Sequence, residues 1–358
     1  MKIENITYIY NKMGIKGFSK TFEPTPIKLK DLKDCNLAID ASILLYKAAL
    51  GAKSINTLTD SLDNPTLHIN VIISKILKFA QYNINQIWCF DYHEKGYVSI
   101  DKLPELTKRK QKRDAALTKL TELRCQLEVP SATKYNELFS SDDEKEETET
   151  ENIQSKVCQK EKECFSMTDM IIADCKFILD CFDITWITAP MGFEAEQLCA
   201  ALTRTNDTGI ILDAVFSTDT DSLAYGSTKL VREIKSKNKK VLQMYELHTI
   251  LDSNNLSMSD FINIAIILGT DHSEKTPKIG PKTVLKKFKS VTLTETQSKT
   301  VEIFTRNIDM RNLTLSNTFG ENKPCMNTDK INKLIDWCVD IKGFNKNRLV
   351  KQIQKVLV

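Results

Sequence analysis

Short apolar strands that end in an acidic residue recur along this chain and alternate with helical segments. Residues 36–40 and 86–91 each have the pattern of a buried strand that finishes on an aspartate, and the apolar run at 210–216 leads to Asp219 and Asp221. Alternating strands and helices are typical of a mostly parallel sheet with helices on both faces. Such a sheet carries its functional site beyond the carboxyl ends of its strands. The pattern therefore predicts an α/β fold with acids gathered at that edge.

Further acids belong to the same edge. Glu194 and Glu196 follow the strand predicted at 184–190 and lie in the first turn of a predicted helix, where the helix dipole alone also favours acids. Asp271 closes the apolar helix predicted at 259–268. The acids that we expect at this edge are Asp40, Asp91, Glu194, Glu196, Asp219, Asp221 and Asp271.

These carboxylates predict a metal site. In an extended segment, residues two apart project to the same side, so Asp219 and Asp221 can face one point. Aspartates also commonly end strands and begin turns, which is the simpler explanation for a single pair. A larger set of like charges raises each member's pKa unless cations lie between them. Oxygen ligands in this number suit one or two Mg²⁺ or Mn²⁺ ions, and two such ions can promote phosphodiester hydrolysis.

Two lysine-rich segments are candidates for binding phosphate. The helix predicted at 106–116 carries cations on more than one face, and a solvated helix surface explains such a run more often than a ligand does. The alternative is a helix that contacts a nucleic-acid backbone. The turn at 278–281 leads into a second predicted helix, whose unpaired amides would suit an anion.

The composition excludes several classes of protein. The net charge is only +3, because the basic stretch 102–124 and the acidic stretch 142–151 offset each other. Ten scattered cysteines without a C-x-x-C pair argue against structural zinc and against a disulfide framework. The longest apolar stretch, 261–268, is too short to span a bilayer. The acidic stretch 140–151 lacks large apolar side chains and is predicted to be a flexible insertion.

A set of short motifs, taken in order, resembles those of the flap endonucleases, the XPG-type family of structure-specific 5′ nucleases with a PIN-like fold. The motifs are Met-Gly-Ile-Lys-Gly at 13–17, Ala-Ile-Asp-Ala-Ser at 38–42, Phe-Asp at 90–91, Glu-Leu-Thr-Lys-Arg at 105–109, Ala-Pro with Glu-Ala-Glu at 189–196, Thr-Asp-Thr-Asp-Ser-Leu at 218–223, Leu-Gly-Thr-Asp at 268–271 and Ile-Gly-Pro-Lys at 279–282. The resemblance implies an endonuclease that cuts branched DNA with a single-stranded 5′ end during replication or repair, with 5′ exonuclease activity as a further expectation.

The resemblance also implies roles for individual residues. The seven acids would bind two Mg²⁺ ions, for which Mn²⁺ can substitute, with Glu194, Asp219 and Asp221 nearest the chemistry. Lys102 and Arg109 would grip the scissile phosphate and stabilise the charge of its transition state. The other DNA contacts implied by motif position are Lys108, Lys112 and Arg113 near the arch, and Ile279, Gly280, Lys282 and Lys286 in a helix-two-turn-helix.

The same resemblance divides the chain into regions. These are an N-terminal extension (1–12), two nuclease regions (13–113 and 167–272), a helical arch (114–166) that contains the acidic insertion, the helix-two-turn-helix (273–290) and a C-terminal helical region (291–358). Lys278 stands where the family has a glycine, which leaves open whether this turn binds K⁺. The turn at 189–194 is longer than that of the family by two residues.

The same comparison of motifs bears on the binding partners of the protein and on alternative functions. The C-terminus has no clamp-binding motif and so does not support a contact with the sliding clamp PCNA. A relative that cuts bubbles, gaps or four-way junctions would share the metal site and is the alternative function. An inactive nucleic-acid-binding scaffold would be expected to lose acids, whereas all seven are present. We expect an intracellular monomer without a membrane partner, acting in the nucleus, or in the host nucleus if the chain is viral.

Overall fold

A mixed sheet of seven strands forms the centre of the part of the chain that the structure describes. The computed structural model describes residues 14–51, 59–62, 64–92, 103–128, 143–204, 210–236, 239–316 and 327–357. The strands are β1 (Thr25–Ile27), β2 (Asn36–Asp40), β3 (Asn85–Phe90), β4 (Thr185–Thr188), β5 (Ala214–Phe216), β6 (Lys229–Ser236) and β7 (Lys239–Glu246). Their order is β1-β7-β6-β5-β2-β3-β4. The pairings from β6 to β4 are parallel and those of β7 are antiparallel, which confirms the predicted α/β sheet.

Helices flank the sheet. They are α1 (Phe18–Thr21), α2 (Ala41–Gly51), α3 (Leu67–Ala80), α4 (Leu103–Glu128), α5 (Asp143–Cys164), α6 (Asp169–Cys181), α7 (Ala195–Leu202), α8 (Asp221–Ala224), α9 (Leu247–Ser253), α10 (Met258–Leu268), α11 (Val284–Lys287), α12 (Glu295–Thr305), α13 (Thr328–Asp336) and α14 (Lys346–Leu357). A π-helical turn, Trp337–Ile341, follows α13. The division of the chain into six regions stays a prediction.

Alternate residues of the central strands point to opposite faces of the sheet. In β2, Ala38 joins an apolar cluster with α7 and α10, whereas Leu37 and Ile39 join a second cluster with α3, α6 and α13. All three side chains are fully buried. Helices on both faces explain why the strand sequences are apolar at successive positions, since each side chain leaves water whichever way it points.

The parallel register determines where the acids meet. Asp40 is the last residue of β2 and lies opposite Cys89 of β3, so Asp91 follows just beyond it on the neighbouring strand. On its other side β2 pairs with β5, where Ile39 lies opposite Phe216. Residues that follow these three strands therefore emerge at one edge of the sheet.

Strand β5 is shorter than the sequence predicts. Residues 210–212 lie outside it, and Ile211 is 53% exposed. Asp213 interrupts the apolar run, and its carboxylate accepts a hydrogen bond from the Asn36 amide at 2.7 Å. A polar residue that satisfies the first amide of the neighbouring strand thus marks where β5 begins.

Helices α4 and α5 form a hairpin held by an apolar cluster of Leu120, Leu123 and Val157. The prediction of a flexible insertion at 140–151 was wrong over most of its length, because α5 begins at Asp143. Acids at the start of a helix interact favourably with its dipole. The apolar residues of the following turns give the helix a packing partner. An acidic, low-complexity sequence can therefore be helical when such a partner is present.

The C-terminal helices are fastened to the same core by a buried polar network. The ring of His68 and the carboxylate of Asp174 lie 3.0 Å apart, and the ammonium group of Lys342 donates to the same oxygen at 2.8 Å. All three residues are buried. Within the described residues, no helix is long and apolar enough to cross a membrane.

Candidate active site

Asp40 and Asp91 lie side by side at the carboxyl ends of β2 and β3. Asp40 is 2% exposed, and its side chain accepts a hydrogen bond from the Ile43 amide at 3.0 Å. Asp91 accepts one from the Ser42 hydroxyl at 2.7 Å and one from the Ala195 amide at 2.9 Å. Ala195 is the first residue of α7. Asp91 therefore holds the start of α7 against this edge of the sheet.

Asp219 and Asp221 converge through a turn, and the prediction that they share one side of an extended segment was wrong. Strand β5 ends at Phe216, and Asp221 already begins α8. The Asp221 amide donates to Oδ1 of Asp219 at 2.9 Å, and the Ser222 hydroxyl donates to the Asp219 carbonyl at 3.1 Å. These hydrogen bonds close the turn locally, which aspartate favours, and both carboxylates end up buried together.

Helix α7 brings two more acids to the same place. Glu194 is the N-cap residue of α7, and its amide donates to the side chain of Gln197 at 3.0 Å. Glu196 lies in the first turn and is buried. An acid in the first turn is favoured by the helix dipole, but the dipole alone does not explain why Glu196 points inward to other acids.

Asp271 follows α10 and completes the cluster. Its backbone amide donates to the carboxylate of Asp221. Its own carboxylate lies 3.7 Å from the guanidinium of Arg109 at the base of α4. The structure thus brings all seven predicted acids to one region and adds one of the two predicted catalytic cations.

The acids affect one another's protonation. Burial raises the pKa of Glu196 well above its ordinary value, and the charges of Asp219 and Asp221 raise it further. Burial also raises the pKa of Asp221, with Asp219 and Asp271 adding to the effect. Charge repulsion and loss of water therefore favour protonated acids in the absence of a cation. A bound cation would displace those protons.

The donor set fits a hard divalent cation, although the present side-chain orientations do not form a coordination shell. Oε1 of Glu196 and Oδ1 of Asp221 are buried without a hydrogen-bond partner, which is uncommon in folded proteins. A set of ligands made up of carboxylate oxygens suits Mg²⁺ and Mn²⁺. Among the residues that the structure describes, however, no three acids, histidines or cysteines are arranged to hold a metal ion as they stand. Oxygens of Asp40, Asp91 and Asp219 accept hydrogen bonds from protein groups, and a carboxylate has further lone pairs with which it can bind a cation.

Gly14 packs directly against the acids. Its φ is +76°, and a Cβ atom on it would lie 2.2 Å from Oδ1 of Asp219 and 2.6 Å from the hydroxyl oxygen of Thr220. The next amide, that of Ile15, donates to the same hydroxyl at 2.9 Å. Glycine accommodates both the left-handed backbone and the close approach. The chain segment that begins at Gly14 therefore forms one wall of the site.

The predicted phosphate-binding cations lie on α4, with one exception. Lys102 falls outside the described residues. Lys108 and Lys112 are exposed and Arg113 is partly exposed. Lys108 lies 3.6 Å from the carboxylate of Glu274, near Asp271. The first turns of α4 therefore lie beside the acidic cluster, while the roles of these cations in binding DNA stay predictions.

The predicted helix-two-turn-helix, residues 273–290, contains helix α11 and a 3₁₀ turn at Phe288–Ser290. Helix α11 has four residues. The sequence predicts unpaired amides at this turn. The Gly280 amide instead donates to the Thr283 hydroxyl at 3.2 Å, so it is not open to an anion. Lys282 and Lys286 are exposed, and Ile279 packs against the core. Contacts of this turn with DNA stay predictions.

Three polar residues beside the acids were not assigned a role from the sequence. Ser42 donates to Asp91, Thr220 accepts the backbone amide that follows Gly14, and Tyr225 shares a hydrogen bond with His272. Each lies in or beside a motif that carries an acid, and that proximity is the signal that could have identified it. Their partners come from other elements, which local patterns do not specify.

Comparisons of the sequence and of the fold with known proteins give the same result. The sequence profile of the XPG N-terminal domain matches residues 13–116, and that of the XPG I-region matches residues 183–271. Flap endonuclease 1 of Enterocytozoon bieneusi is 26% identical over 382 residues, covering 96% of this chain and 95% of that protein. The structure of flap endonuclease-1 from Methanococcus jannaschii matches with a TM-score of 0.63 at 20% identity, covering 96% of this chain and 98% of its own. The catalytic core of Rad2, solved in complex with a DNA substrate, matches with a TM-score of 0.60 at 16% identity, covering 96% and 100%. These structural likenesses establish the fold.

Proposed function

This chain belongs to the XPG family, and from that premise we propose that it is a structure-specific endonuclease that cuts branched DNA carrying a single-stranded 5′ flap. The observation that supports this most directly is the cluster of seven acids at the carboxyl edge of the sheet, four of them buried, with Arg109 3.7 Å from Asp271 at its rim. Acids and a cation so arranged suit hydrolysis of a phosphodiester bond. We propose that it works in DNA replication or repair in the nucleus.

The seven acids are proposed to hold two Mg²⁺ ions, for which Mn²⁺ can substitute. When bound, the ions supply an activated water and stabilise the leaving oxygen. Glu194, Asp219 and Asp221 are the proposed ligands nearest the chemistry. The orphaned oxygens of Glu196 and Asp221 support this assignment, because each lacks any other partner in a buried position. Asp40, Asp91, Glu196 and Asp271 are proposed to complete the two sites.

The cations of α4 are proposed to hold the scissile phosphate and the strand that leads to it. Arg109 would bind a phosphate oxygen and stabilise the charge of the transition state, and Lys102 would act from the same side. Lys108 and Lys112 extend the exposed basic surface away from the acids. Each such contact with a DNA phosphate releases counterions, so binding should weaken steeply as salt increases.

The first experiment uses labelled 5′-flap, gapped, bubble and four-way DNA with Mg²⁺, with Ca²⁺ and with EDTA. We expect Mg²⁺-dependent cleavage that is fastest on the 5′ flap. Absence of any Mg²⁺-dependent cut on all four substrates would refute the proposal of an enzyme. Preferred cleavage of the bubble, gap or four-way junction would instead establish the alternative function.

A second experiment separates binding from cleavage. Asp219→Asn should keep flap binding and lose cleavage, because it removes a metal ligand and leaves the DNA-binding cations unchanged. Asp252→Asn is the matched control, since this acid lies exposed on α9. A normal cleavage rate in Asp219→Asn would contradict the metal assignment.

A further inference from the structure

A hydrogen bond outside the acid cluster joins the segments that carry two of its acids. The hydroxyl of Tyr225 and Nε2 of His272 lie 2.8 Å apart. Tyr225 directly follows α8, which begins at Asp221, and the Tyr225 amide donates to the Asp221 carbonyl at 3.0 Å. His272 directly follows Asp271. The Tyr225–His272 hydrogen bond therefore links the helical turn that presents Asp221 to the loop that presents Asp271.

Both rings are held in place by packing. The ring centroids of Tyr225 and Phe304 are 4.8 Å apart, and those of His272 and Phe304 are 5.7 Å apart. Tyr225 and Phe304 are each 4% exposed. Phe304 comes from α12, so three elements fix the distance between the hydroxyl and the imidazole. Tyr225→Phe would keep this packing and remove only the hydrogen bond.

The loop that carries Asp271 is closed by its own hydrogen bonds. The Thr270 amide donates to the Ser273 carbonyl at 3.1 Å, and the His272 amide donates to the Thr270 hydroxyl at 3.2 Å. Because the loop is cross-linked in this way, a displacement of the His272 ring would move Asp271 with it. The hydrogen bond of the Tyr225 hydroxyl therefore fixes the position of the whole loop that carries Asp271.

We propose that Tyr225 and His272 are positioning residues, whose hydrogen bond holds Asp221 and Asp271 at the separation at which they bind a divalent cation. This inference rests on the proposed function. Loss of a group that orients metal ligands typically costs 10- to 100-fold in metal affinity or activity. Tyr225→Phe should therefore weaken Mg²⁺ binding by about tenfold, while the fold and the DNA-binding cations stay unchanged.

The test measures metal binding directly. The full-length chain, stripped of metal and without DNA, is titrated with Mg²⁺ and separately with Ca²⁺ by calorimetry. Flap cleavage is then followed in single turnover over a range of Mg²⁺ concentrations. Tyr225→Phe should need about tenfold more Mg²⁺ for half-maximal cleavage, with a maximal rate near that of the wild type.

Tyr245→Phe is the matched control. Tyr245 is likewise buried and its hydroxyl donates to the Ser19 hydroxyl at 2.9 Å, but this hydrogen bond joins β7 to α1 and not the segments that carry Asp221 and Asp271. This variant should bind Mg²⁺ as the wild type does. The double variant Tyr225→Phe/His272→Phe should lose no more affinity than Tyr225→Phe alone, because each change breaks the same hydrogen bond.

Three results would overturn the inference. They are an unchanged Mg²⁺ affinity in Tyr225→Phe, an equal loss in Tyr245→Phe, and a larger loss in the double variant than in Tyr225→Phe alone. A wild-type chain that binds neither Mg²⁺ nor Ca²⁺ would overturn the proposed function itself, and the inference with it. That failure is recognised from the wild type before any variant is compared.

Discussion

The guanidinium of Arg109 lies 3.7 Å from the carboxylate of Asp271 and so connects the base of α4 to the acidic cluster. Half of the Arg109 side chain remains exposed, and an exposed ion pair contributes only about 0–1 kcal/mol to stability. The ion pair therefore matters for where it places the guanidinium of Arg109, and little for stability. A cation at the rim of the acids is well placed to receive a phosphate oxygen once divalent cations neutralise the carboxylates.

Arg109→Ala should lower the rate of flap cleavage at saturating DNA by roughly 100-fold, because it removes a charge that stabilises the transition state. Lys110→Ala is the control, since Lys110 is the next residue of the helix and is exposed. The control should weaken DNA binding slightly and leave the single-turnover rate unchanged. Equal rate losses in the two variants would show that Arg109 contributes only to the general positive charge of α4.

Gly14→Ala should impair metal binding and cleavage, because the new Cβ would overlap Asp219 and Thr220 and force that turn or the segment at Gly14 to move. Gly343→Ala is the control: its φ is also positive, at +69°, but a Cβ there meets nothing within 4 Å. Both variants should lose about 1–2 kcal/mol of stability from the left-handed backbone. Calorimetric Mg²⁺ titration should detect a loss only in Gly14→Ala, and equal affinities in both variants would contradict the steric argument.

Lys278→Gly should stabilise the folded protein by about 1 kcal/mol, because Lys278 has a φ of +62°, where a side chain is unfavourable. The same measurement on Lys282→Gly should give a loss, since its φ is not positive and glycine adds only flexibility there. Urea denaturation of the three proteins measures both effects. A loss of stability in Lys278→Gly would mean that contacts of the lysine outweigh the backbone strain.

Repeating DNA titrations in K⁺ and in Na⁺ would decide whether this turn binds K⁺.

Glu233 should make stability dependent on pH in the acid range. Burial raises its pKa, but Lys75 and Lys240, at 3.2 and 3.0 Å, outweigh burial and hold the pKa at about 2, against 4.5 when unfolded. A lowered pKa contributes stability that is present above pH 4.5 and is lost as the pH falls towards 2. The difference between these two pKa values of Glu233 corresponds to about 3 kcal/mol of stability. This figure is an upper bound, because burial also lowers the pKa of Lys75, which offsets part of the stabilisation.

Glu233→Gln should remove most of this pH dependence and destabilise the protein at pH 7, because it leaves Lys75 buried without its partner. Glu246→Gln is the control, since its partner Lys229, at 3.1 Å, is half exposed. Urea denaturation at pH 7 and pH 3 should show that the stability difference between the two pH values shrinks strongly relative to the wild type in Glu233→Gln and only slightly in Glu246→Gln. Matching pH profiles for wild type and Glu233→Gln would refute the assignment.

The sequence by itself determined the elements whose signals are local. Apolar strands and amphipathic helices follow from hydrophobic periodicity, so the parallel sheet and the position of Asp40 and Asp91 at strand ends were predictable. The same patterns located the remaining acids at the ends of predicted elements, and the family motifs implied their roles. Local patterns also misled in places, since composition predicted a flexible insertion at 140–151 where α5 in fact begins at Asp143. Composition does not report that α5 has a packing partner in α4.

Only the tertiary structure decided how these acids are arranged. Strand order and register put Asp40 beside Asp91, a turn and not an extended strand joined Asp219 to Asp221, and Arg109 reached Asp271 from a distant helix. The Tyr225–His272 hydrogen bond likewise joins segments 47 positions apart. The physical reason is that burial and charge interactions depend on distances through space. Those distances are fixed by packing between elements, about which the periodicity of any one element carries no information.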